Sequence, residues 1–357
     1  MRRGKRGGGA GYRSAGGRHT LGGMASERIT LEAGGREISL SSPGREVWPE
    51  AGITKRDLAE YLIAVAEPFL AHNGDRPVSL ERFPASVDGD SFFSKNPPKG
   101  APDYVESVPV TYNSGRRHRQ LVLTEPAAIV WAAQMNTVVF HPWASLASDT
   151  DRPVELRIDL DPQPGNDFAD VVYAAHGMRE VLAEAGLELW VKTSGNRGIH
   201  AFCPIDPEWE FLDVRHAVIA AGRELERRMP ERVTTNWWKE ERGDRIFVDY
   251  NQANRDRTMA GAYSPRPLPQ ATVSTPVTWD ELDGLDPHAF TIRTVTERLR
   301  DVGDPWAGFA ERPGRIETLL QWWQRDLDDG LGELPFPPDF PKMPGEPPRV
   351  QPSRAKK

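Results

Sequence analysis

The hydrophobic pattern of segment 154–161 is that of a half-buried strand. Three branched apolar residues at even positions alternate with Arg157, Asp159 and Asp161. Residues two apart on a strand lie on the same face. We therefore expect Asp159 and Asp161 to project from one face, about 7 Å apart along the strand.

Longer segments show the 3.6-residue period of helices. Thr54 and Thr278 each stand three residues before an acid, which predicts a capping box, and Pro126 suits the first turn of a helix that Thr124 opens. Gly186 predicts the end of one helix. The apolar patterns predict helices near 54–69, 124–134, 168–185, 211–229 and 278–282, and strands at 187–192, 199–202 and 246–250.

Strands that alternate with helices of crossover length predict an α/β (α+β) fold with central mixed β-sheets flanked by helices. The composition along the chain predicts four parts. These are a disordered basic tail rich in Gly and Arg (1–26), a catalytic domain (27–310), a helical extension (311–334) and a Pro-rich tail (335–357).

The composition of the 357 residues narrows the class of protein. Eleven tryptophans and an apolar fraction of 38% predict a substantial core. No apolar run is long enough to span a membrane, and Cys203, the single cysteine, excludes a disulfide framework. We therefore expect a cytoplasmic protein.

The net charge of −7 argues against DNA binding by bulk charge. The first 26 residues hold six Lys or Arg and no acid, so the rest of the chain carries −13. A nucleic-acid surface must then be a local patch. Arg45 with Lys55 and Arg56, Lys95 with Lys99, and the run 116–119 are candidates, although each one alone is more typical of an ordinary solvated surface.

Three carboxylates are candidates for a metal site. Asp249 ends another apolar β-rich run, 88 residues after Asp161. Close carboxylates repel each other unless a cation lies between them. Asp159, Asp161 and Asp249 on adjacent strands would suit two divalent cations and a phosphoryl- or nucleotidyl-transfer reaction.

A glycine-containing turn joins the strands predicted at 187–192 and 199–202. Ser194, Gly195 and Gly198 would let backbone N–H groups converge on an anion, and Lys192 and Arg197 could supply charge to a triphosphate. The alternative is an ordinary glycine hairpin with exposed cations. His200, taken alone, is better explained by a structural role than by a functional one.

The motifs together resemble a known family. They are 159–162 (DLDP), 192–200 (KTSGNRGIH), 247–250 (FVDY), 47–57 (VWPEAGITKRD), 81–84 (ERFP), 91–95 (SFFSK), 140–143 (FHPW), 262–266 (AYSPR) and 273–276 (VSTP). In this order and spacing they resemble the polymerase domain of bacterial ATP-dependent DNA ligase D, a member of the archaeo-eukaryotic primase-like superfamily. The resemblance extends over residues 29–301 and implies the primase-polymerase fold.

The resemblance also implies roles for individual residues. Asp159, Asp161 and Asp249 would hold two Mn²⁺ (or Mg²⁺) ions. The positions expected to contact the incoming NTP or dNTP are His141, Ser194, Gly195, Arg197, His200, Arg242, Arg255 and Arg266. The positions expected to contact DNA are Arg45 and Lys55, at a 5′-phosphate, and Phe92, Phe93 and Lys95, near the template.

Three positions depart from the family pattern. Glu81 stands where many relatives have lysine, Ser42 where an asparagine is frequent, and Arg45 replaces a lysine. These changes concern the predicted phosphate contacts and leave the three predicted metal ligands unchanged. The sequence also lacks the Lys-x-Asp-Gly adenylation motif, so we expect a primase-polymerase module without an attached ligase.

The resulting hypothesis is a metal-dependent, DNA-templated nucleotidyltransferase. It would add a few nucleotides, often ribonucleotides, at gaps or double-strand ends with a 5′-phosphate, in DNA repair or non-homologous end joining. Ku and a separate ligase would be partners, and the protein would be nucleoid-associated and monomeric in solution. The alternatives are a de novo primase and a non-catalytic factor that binds and bridges DNA ends.

Overall fold

The structure is a computed structural model that describes residues 27–112 and 114–336. The predicted basic tail 1–26 lies outside the described residues, as does the predicted Pro-rich tail after Phe336.

The strands of the described residues follow one another along the whole chain. They are β1 (Arg28–Ala33), β2 (Arg36–Ser41), β3 (Glu46–Trp48), β4 (Ile53–Thr54), β5 (Pro77–Arg82), β6 (Phe92–Ser94), β7 (Glu106–Thr111), β8 (Arg117–Val122), β9 (Thr137–Pro142), β10 (Ser145–Leu146), β11 (Asp149–Pro153), β12 (Glu155–Asp161), β13 (Trp190–Thr193), β14 (Ile199–Pro204), β15 (Val233–Thr234), β16 (Ile246–Asp249), β17 (Ser264–Pro265), β18 (Val273–Ser274) and β19 (Pro276–Val277).

Helices lie between these strands and after them. They are α1 (Lys55–Ala64), α2 (Ala66–Asn73), α3 (Pro126–Gln134), α4 (Phe168–Glu184), α5 (Phe211–Arg228), α6 (Lys239–Arg242), α7 (Trp279–Leu282), α8 (Val295–Val302) and α9 (Glu317–Asp328), with 3₁₀ turns at Tyr250–Ala253 and Phe309–Glu311. Within the described residues, no helix is both long and apolar enough to cross a bilayer.

Two sheets organise the fold. The larger has the order β15-β16-β12-β14-β13-β19, and its strands are antiparallel except for the parallel pair β15–β16. The second sheet centres on β5, which pairs with β6, β8 and β9, while β7 pairs with β8. Each sheet has its own hydrophobic core: α1, α2 and α3 contribute to that of the second sheet, and α4 and α5 to that of the larger one. The predicted class, mixed sheets flanked by helices, is confirmed.

The local signals at helix ends are largely confirmed. Thr54 forms the predicted capping box with Asp57, and Thr278 forms one with Glu281. Gly186 follows the end of α4 with φ = +80°, a backbone conformation that favours glycine. These features depend on residues within one turn of each other, which is why the sequence reveals them.

Three helix and strand boundaries differ from the prediction. The apolar stripe of 54–69 is divided between α1 and α2 at Val65, whose backbone lies outside the helical region (φ −103°, ψ 7°). Glu125, not Thr124, precedes α3. The strand predicted at 246–250 ends at Asp249, since Tyr250 begins a 3₁₀ turn that Asp249 caps.

A buried ion network connects the two sheets. Glu155, at the start of β12, accepts hydrogen bonds from Arg76 (2.8 Å) and Arg157 (2.7 Å). Arg157 also donates to the carbonyls of Pro142 (2.8 Å) and Trp143 (2.7 Å) at the end of β9. All three charged side chains are at least nine-tenths buried. Two guanidinium groups share one carboxylate, so Glu155 is the counter-charge for both of them.

We predict that Glu155→Gln lowers the free energy of unfolding by about 3–5 kcal/mol, because it leaves buried guanidinium groups without a counter-charge. Urea denaturation would measure the loss. The matched control is Glu125→Gln, which removes the partly exposed partner of the exposed Arg36 and should cost less than about 1 kcal/mol. Equal losses in the two variants would contradict a structural role for the network.

Candidate functional site

Four polar side chains form a row across four neighbouring strands of the larger sheet. Asp159 lies directly opposite Asp249 on one side and His200 on the other. His200 in turn lies opposite Lys192. Directly opposed residues point to the same face of a sheet, so the row runs Asp249, Asp159, His200, Lys192. Asp161, two residues after Asp159, lies on that face as predicted.

The acidic end of this row carries unfavourable charge repulsion. Burial, followed by the charges of Asp249 and Asp161, holds the pKa of the Asp159 carboxyl well above its usual range. The side chain of Asp159 is only 23% exposed. Asp249 accepts hydrogen bonds from the backbone N–H of Asn251 (3.0 Å) and the side chain of Gln252 (3.1 Å). These bonds orient the Asp249 carboxylate but bring no positive charge.

The donor set fits a hard divalent cation, because such ions prefer carboxylate oxygens and would relieve this repulsion. The carboxylates do not yet surround a common point. In the described part of the chain, no three His, Cys, Asp or Glu side chains already form a ligand cage. A cation would therefore have to draw the three carboxylates together.

The basic end of the row is buried. Lys192 is fully buried, and its ammonium contacts the carbonyl of Ala260 (2.8 Å), Nδ1 of His200 (2.7 Å) and Oγ of Ser274. The structure thus does not place Lys192 where it could meet a triphosphate directly. Nε2 of His200 points the other way and lies 3.8 Å from Oδ1 of Asp159. Burial and the neighbouring Lys192 lower the pKa of His200 well below its usual value.

The turn from Ser194 to Gly198 is held by its own hydrogen bonds. Oγ of Ser194 accepts from the N–H groups of Asn196 and Gly198, each at 3.1 Å. Gly195 has φ = +73°, and a Cβ there would lie 2.5 Å from Cγ of Arg266. The N–H of Ser194 also donates within the turn, to the carbonyl of Gly198 (3.0 Å). Two of the N–H groups expected to face an anion, those of Ser194 and Gly198, are therefore engaged within the turn, whereas the side chain of Arg197 is exposed.

Arg266 links the two sheets electrostatically. It interacts with Asp159 in the row and with Glu81 on β5, and burial lowers the pKa of its guanidinium. Its Nε is buried without a hydrogen-bond partner. A cation with a buried, unsatisfied donor is suited to an anionic ligand, and the nucleotide contact of Arg266 stays a prediction.

Glu81 belongs to the same part of the molecule, a placement that the sequence did not reveal. Its carboxylate lies 3.2 Å from Nε2 of His141 and accepts from Ser91 at 3.1 Å. The hydrogen bond from His141 is the main cause of the lowered pKa of Glu81. The ring of Phe93 lies 5.3 Å from that of His141. Glu81, which replaces a lysine of the family pattern, is thus paired with His141, a predicted nucleotide contact.

The two other predicted nucleotide arginines occupy different surroundings. Arg242 is buried, donates to the carbonyls of Asn236 (3.1 Å) and Trp237 (2.8 Å), and interacts electrostatically with Asp249 and Asp161. Arg255 is bound to Thr150 (3.0 Å) and Asp151. It lines a cavity of about 680 Å³ with Arg215 and Phe336, and its role toward a nucleotide stays a prediction.

The predicted 5′-phosphate pair is engaged within the protein. Lys55 is buried and donates to the carbonyl of Ser41 (3.2 Å) and to two oxygens of Gln134 (2.8 and 2.9 Å). Its pKa is lowered to about 8 by burial and by Arg45. Arg45 donates to the carbonyl of Pro84 (3.1 Å) and to Oδ1 of Asn136 (2.8 Å). A direct phosphate contact by Lys55 would require these hydrogen bonds to break.

The aromatic pair on β6 lies at the surface. Phe92 is 44% exposed and Phe93 53%. The guanidinium of Arg82 lies 4.9 Å from the Phe92 ring, and the ammonium of Lys95 lies 4.7 Å from the ring of Tyr112. Two adjacent exposed phenylalanines are unusual on a protein surface and suit stacking on bases.

Comparison with known proteins identifies the family. The model of the LigD primase-polymerase domain matches residues 54–306. The chain belongs to this family. The resemblance inferred from the motifs is therefore confirmed, and the family is one of nucleotidyltransferases.

Similar proteins include LigD of several bacteria. The bifunctional non-homologous end joining protein LigD of Bacillus subtilis is 32% identical over 78% of this chain and 45% of its own length. The multifunctional LigD protein of Mycolicibacterium smegmatis is 29% identical over 85% of this chain and 40% of its own length. That of Pseudomonas aeruginosa is 31% identical over 80% of this chain and 34% of its own length. The chain thus spans less than half of these relatives.

A solved structure confirms the predicted primase-polymerase fold. The polymerase domain of Mycobacterium tuberculosis ligase D, in complex with DNA, has a TM-score of 0.71 and 28% identity. The match covers 78% of this chain and 99% of that domain.

We predict that Asp159→Asn makes the free protein more stable at neutral pH. An acid whose pKa is higher in the folded state than in the unfolded one destabilises the fold as the pH rises above about 4, its unfolded value. The amide removes that effect. Thermal unfolding at pH 7.5 should shift upwards by about 2 °C or more, the effect of roughly 1 kcal/mol in a domain of about 150–250 residues.

The control for this measurement is Asp103→Asn, which changes an exposed acid far from the row in sequence and should leave the transition within about 1 °C. The pH dependence should differ as well, since the transition of Asp159→Asn should fall less between pH 5 and 8 than that of the wild type. A lower transition temperature for Asp159→Asn would show that its carboxylate stabilises the free fold.

Proposed function

We propose that this chain catalyses DNA-templated nucleotidyl transfer, adding a few nucleotides at gaps or double-strand ends. The observation that carries the proposal is the row of Asp249, Asp159 and His200, in which two carboxylates and a histidine meet on one sheet face. Membership of the LigD primase-polymerase family supports the same reaction class.

Asp159, Asp161 and Asp249 would hold two Mn²⁺ or Mg²⁺ ions. Bound there, such ions would lower the pKa of a primer 3′-hydroxyl and neutralise charge on the triphosphate and pyrophosphate. The protein's own contribution is to fix the carboxylates: β12 sets the spacing of Asp159 and Asp161, and the turn after β16 orients Asp249 through Asn251.

Cationic and polar groups around the carboxylates would bind the incoming NTP or dNTP. Arg266 offers an unsatisfied buried Nε, and Arg197 is exposed at the turn beside His200. Arg242 lies near enough to Asp161 and Asp249 to interact with both. His141, held by Glu81, would contact the nucleotide from the second sheet.

DNA would lie against β6. Phe92 and Phe93 would stack on template bases, a contact that depends little on sequence, and Lys95 beside them would add a charge. The M. tuberculosis ligase D polymerase domain, which has the same fold, was solved in complex with DNA. Arg45, which is partly exposed, is the better candidate for a 5′-phosphate contact, because Lys55 is buried.

The setting would be end joining or short-gap repair. The LigD relatives are described as non-homologous end joining proteins with two or more functions, and this chain matches only part of them. We propose Ku and a DNA ligase as partners, and a nucleoid-associated, cytoplasmic protein that is monomeric in solution.

Primer extension on a DNA gap of one to three nucleotides would test the proposal. We expect extension with Mn²⁺ or Mg²⁺, and a loss of at least about 100-fold in Asp159→Ala with DNA binding retained, because the variant lacks a ligand but keeps the DNA surface. Parallel reactions would compare ribonucleotides with deoxynucleotides. They would also compare gaps whose 5′ end carries a phosphate with gaps whose 5′ end carries a hydroxyl, and together they would define the substrate.

Two outcomes would decide against this function. If the wild type bound DNA ends without extending any primer, the chain would be an end-binding factor. If it joined two free nucleotides on a template as readily as it extended a primer, it would be a de novo primase. The control is Arg300→Met, an exposed residue outside the proposed contacts, which should extend primers as the wild type does.

A further inference from the structure

We propose that Arg215 is a positioning residue for the carboxylate of Asp249. It would act through Asn251, together with residues 332–336, which we call the C-terminal segment. The consequence, tighter binding of a divalent cation, rests on the proposed function, whereas the positioning of Asn251 does not depend on it.

The side chain of Asp249 is held from the turn that follows it. The backbone N–H of Asn251 donates to Oδ1 of Asp249 at 3.0 Å. A carboxylate oxygen has two lone pairs, so Oδ1 can accept this hydrogen bond and still bind a cation. A group that fixes Asn251 therefore also restricts the Asp249 carboxylate.

The side chain of Asn251 is buried and is held at both ends of its amide. Its Oδ1 accepts from Nε of Arg215 at 3.3 Å, and its Nδ2 donates to the carbonyl of Pro335 at 3.2 Å. An arginine can only donate and a carbonyl can only accept, so the directions of both hydrogen bonds are settled. Asn251 thus joins the turn after β16 to α5 and to the C-terminal segment.

Arg215 holds the C-terminal segment as well as Asn251. It is a buried residue of α5. Its Nη1 pairs with the carboxylate of Glu333 (2.7 Å), and its Nη2 donates to the carbonyl of Leu334 (2.7 Å). Because a guanidinium presents its donors in a rigid plane, this one side chain fixes Asn251 and the C-terminal segment relative to each other.

The C-terminal segment has two further anchors. Arg223 donates to the carbonyl of Gly332 (2.6 Å), and the hydroxyl of Tyr250 donates to the carbonyl of Pro335 (3.2 Å). The segment lies beyond residues 54–306, which match the family model. This chain therefore supports the Asp249 turn with residues that the family match does not include.

The site gives this support a purpose. Asp159 and Asp249 repel each other, which favours movement of the Asp249 carboxylate away from the row. The hydrogen bonds through Asn251 oppose that movement. Residues that hold a metal ligand in place typically contribute about 10–100-fold to metal affinity, so Arg215 should strengthen cation binding without contacting the cation.

Mn²⁺ binding to the full chain, without nucleotide or DNA, would test the proposal by electron paramagnetic resonance of the free ion. Arg215→Met and Arg215→Gln are a matched pair of similar length, and only the amide of glutamine can donate to Asn251 from near the position of Nε. We expect Arg215→Met to weaken Mn²⁺ binding about tenfold and Arg215→Gln to weaken it less. Equal losses would contradict an action through Asn251.

A double-mutant cycle would test the same link independently. Asn251→Ala removes both side-chain contacts but keeps the backbone N–H, and it should also weaken Mn²⁺ binding. Arg215→Met should then have little further effect in the Asn251→Ala background. A full additional loss there would overturn the proposal. If Arg215→Met does not fold, unchanged Mn²⁺ binding in Asn251→Ala would overturn it.

The control for a general loss of stability is Leu62→Ala, which creates a cavity in the core of the second sheet. It should lower the thermal transition, as Arg215→Met does, but leave the Mn²⁺ affinity unchanged. A loss of Mn²⁺ affinity in Leu62→Ala as large as that in Arg215→Met would show that affinity follows stability alone, against the proposal.

Amide hydrogen exchange at Asn251, followed by NMR in the metal-free chain, separates this proposal from the proposed function. The N–H of Asn251 should exchange about tenfold faster in Arg215→Met than in the wild type, because local opening of the turn becomes easier. Unchanged exchange in a folded Arg215→Met would overturn the proposal. If the wild type bound no Mn²⁺, the proposed metal site would fail, and the exchange rates would still decide whether Arg215 positions Asn251.

Discussion

Repulsion between carboxylates that share one face of the larger sheet is the constraint on which the site depends. Asp159 and Asp249 are paired across β12 and β16, and Asp161 follows on the same face. Burial of Asp159 strengthens the repulsion, because charges interact more strongly in a medium of lower dielectric constant. The fold tolerates this local loss of stability. A divalent cation would relieve the repulsion, and that relief would add to the free energy of cation binding.

The rest of the row places basic side chains next to the carboxylates. His200 and Lys192 continue the row on β14 and β13, and Arg266 connects it to Glu81 on the second sheet. A site that handles a triphosphate must hold cations and an anionic ligand within a few ångströms. The register of four antiparallel strands provides that adjacency, and the network of Arg76, Glu155 and Arg157 ties β12, one of these strands, to the second sheet.

The sequence was informative where the signal is local. A spacing of two residues places Asp159 and Asp161 on one face of a strand. A spacing of three residues lets Asp57 complete the capping box of Thr54. The sequence did not reveal which side chains are buried by residues far along the chain. Lys55 and Lys192 look like available cations in the sequence, but Gln134, Ala260 and Ser274, far along the chain, supply the oxygens that receive their hydrogens. The pairing of Glu81 with His141 likewise arises only when β5 and β9 come together.

A crystal structure of the protein soaked with Mn²⁺ and a nonhydrolysable nucleoside triphosphate would test the central claim most directly. Anomalous scattering at the manganese edge should reveal ions bound by Asp159, Asp161 and Asp249, with the triphosphate near His200 and Arg266. Ions bound elsewhere, with these three carboxylates free of metal and the nucleotide still in place, would contradict it.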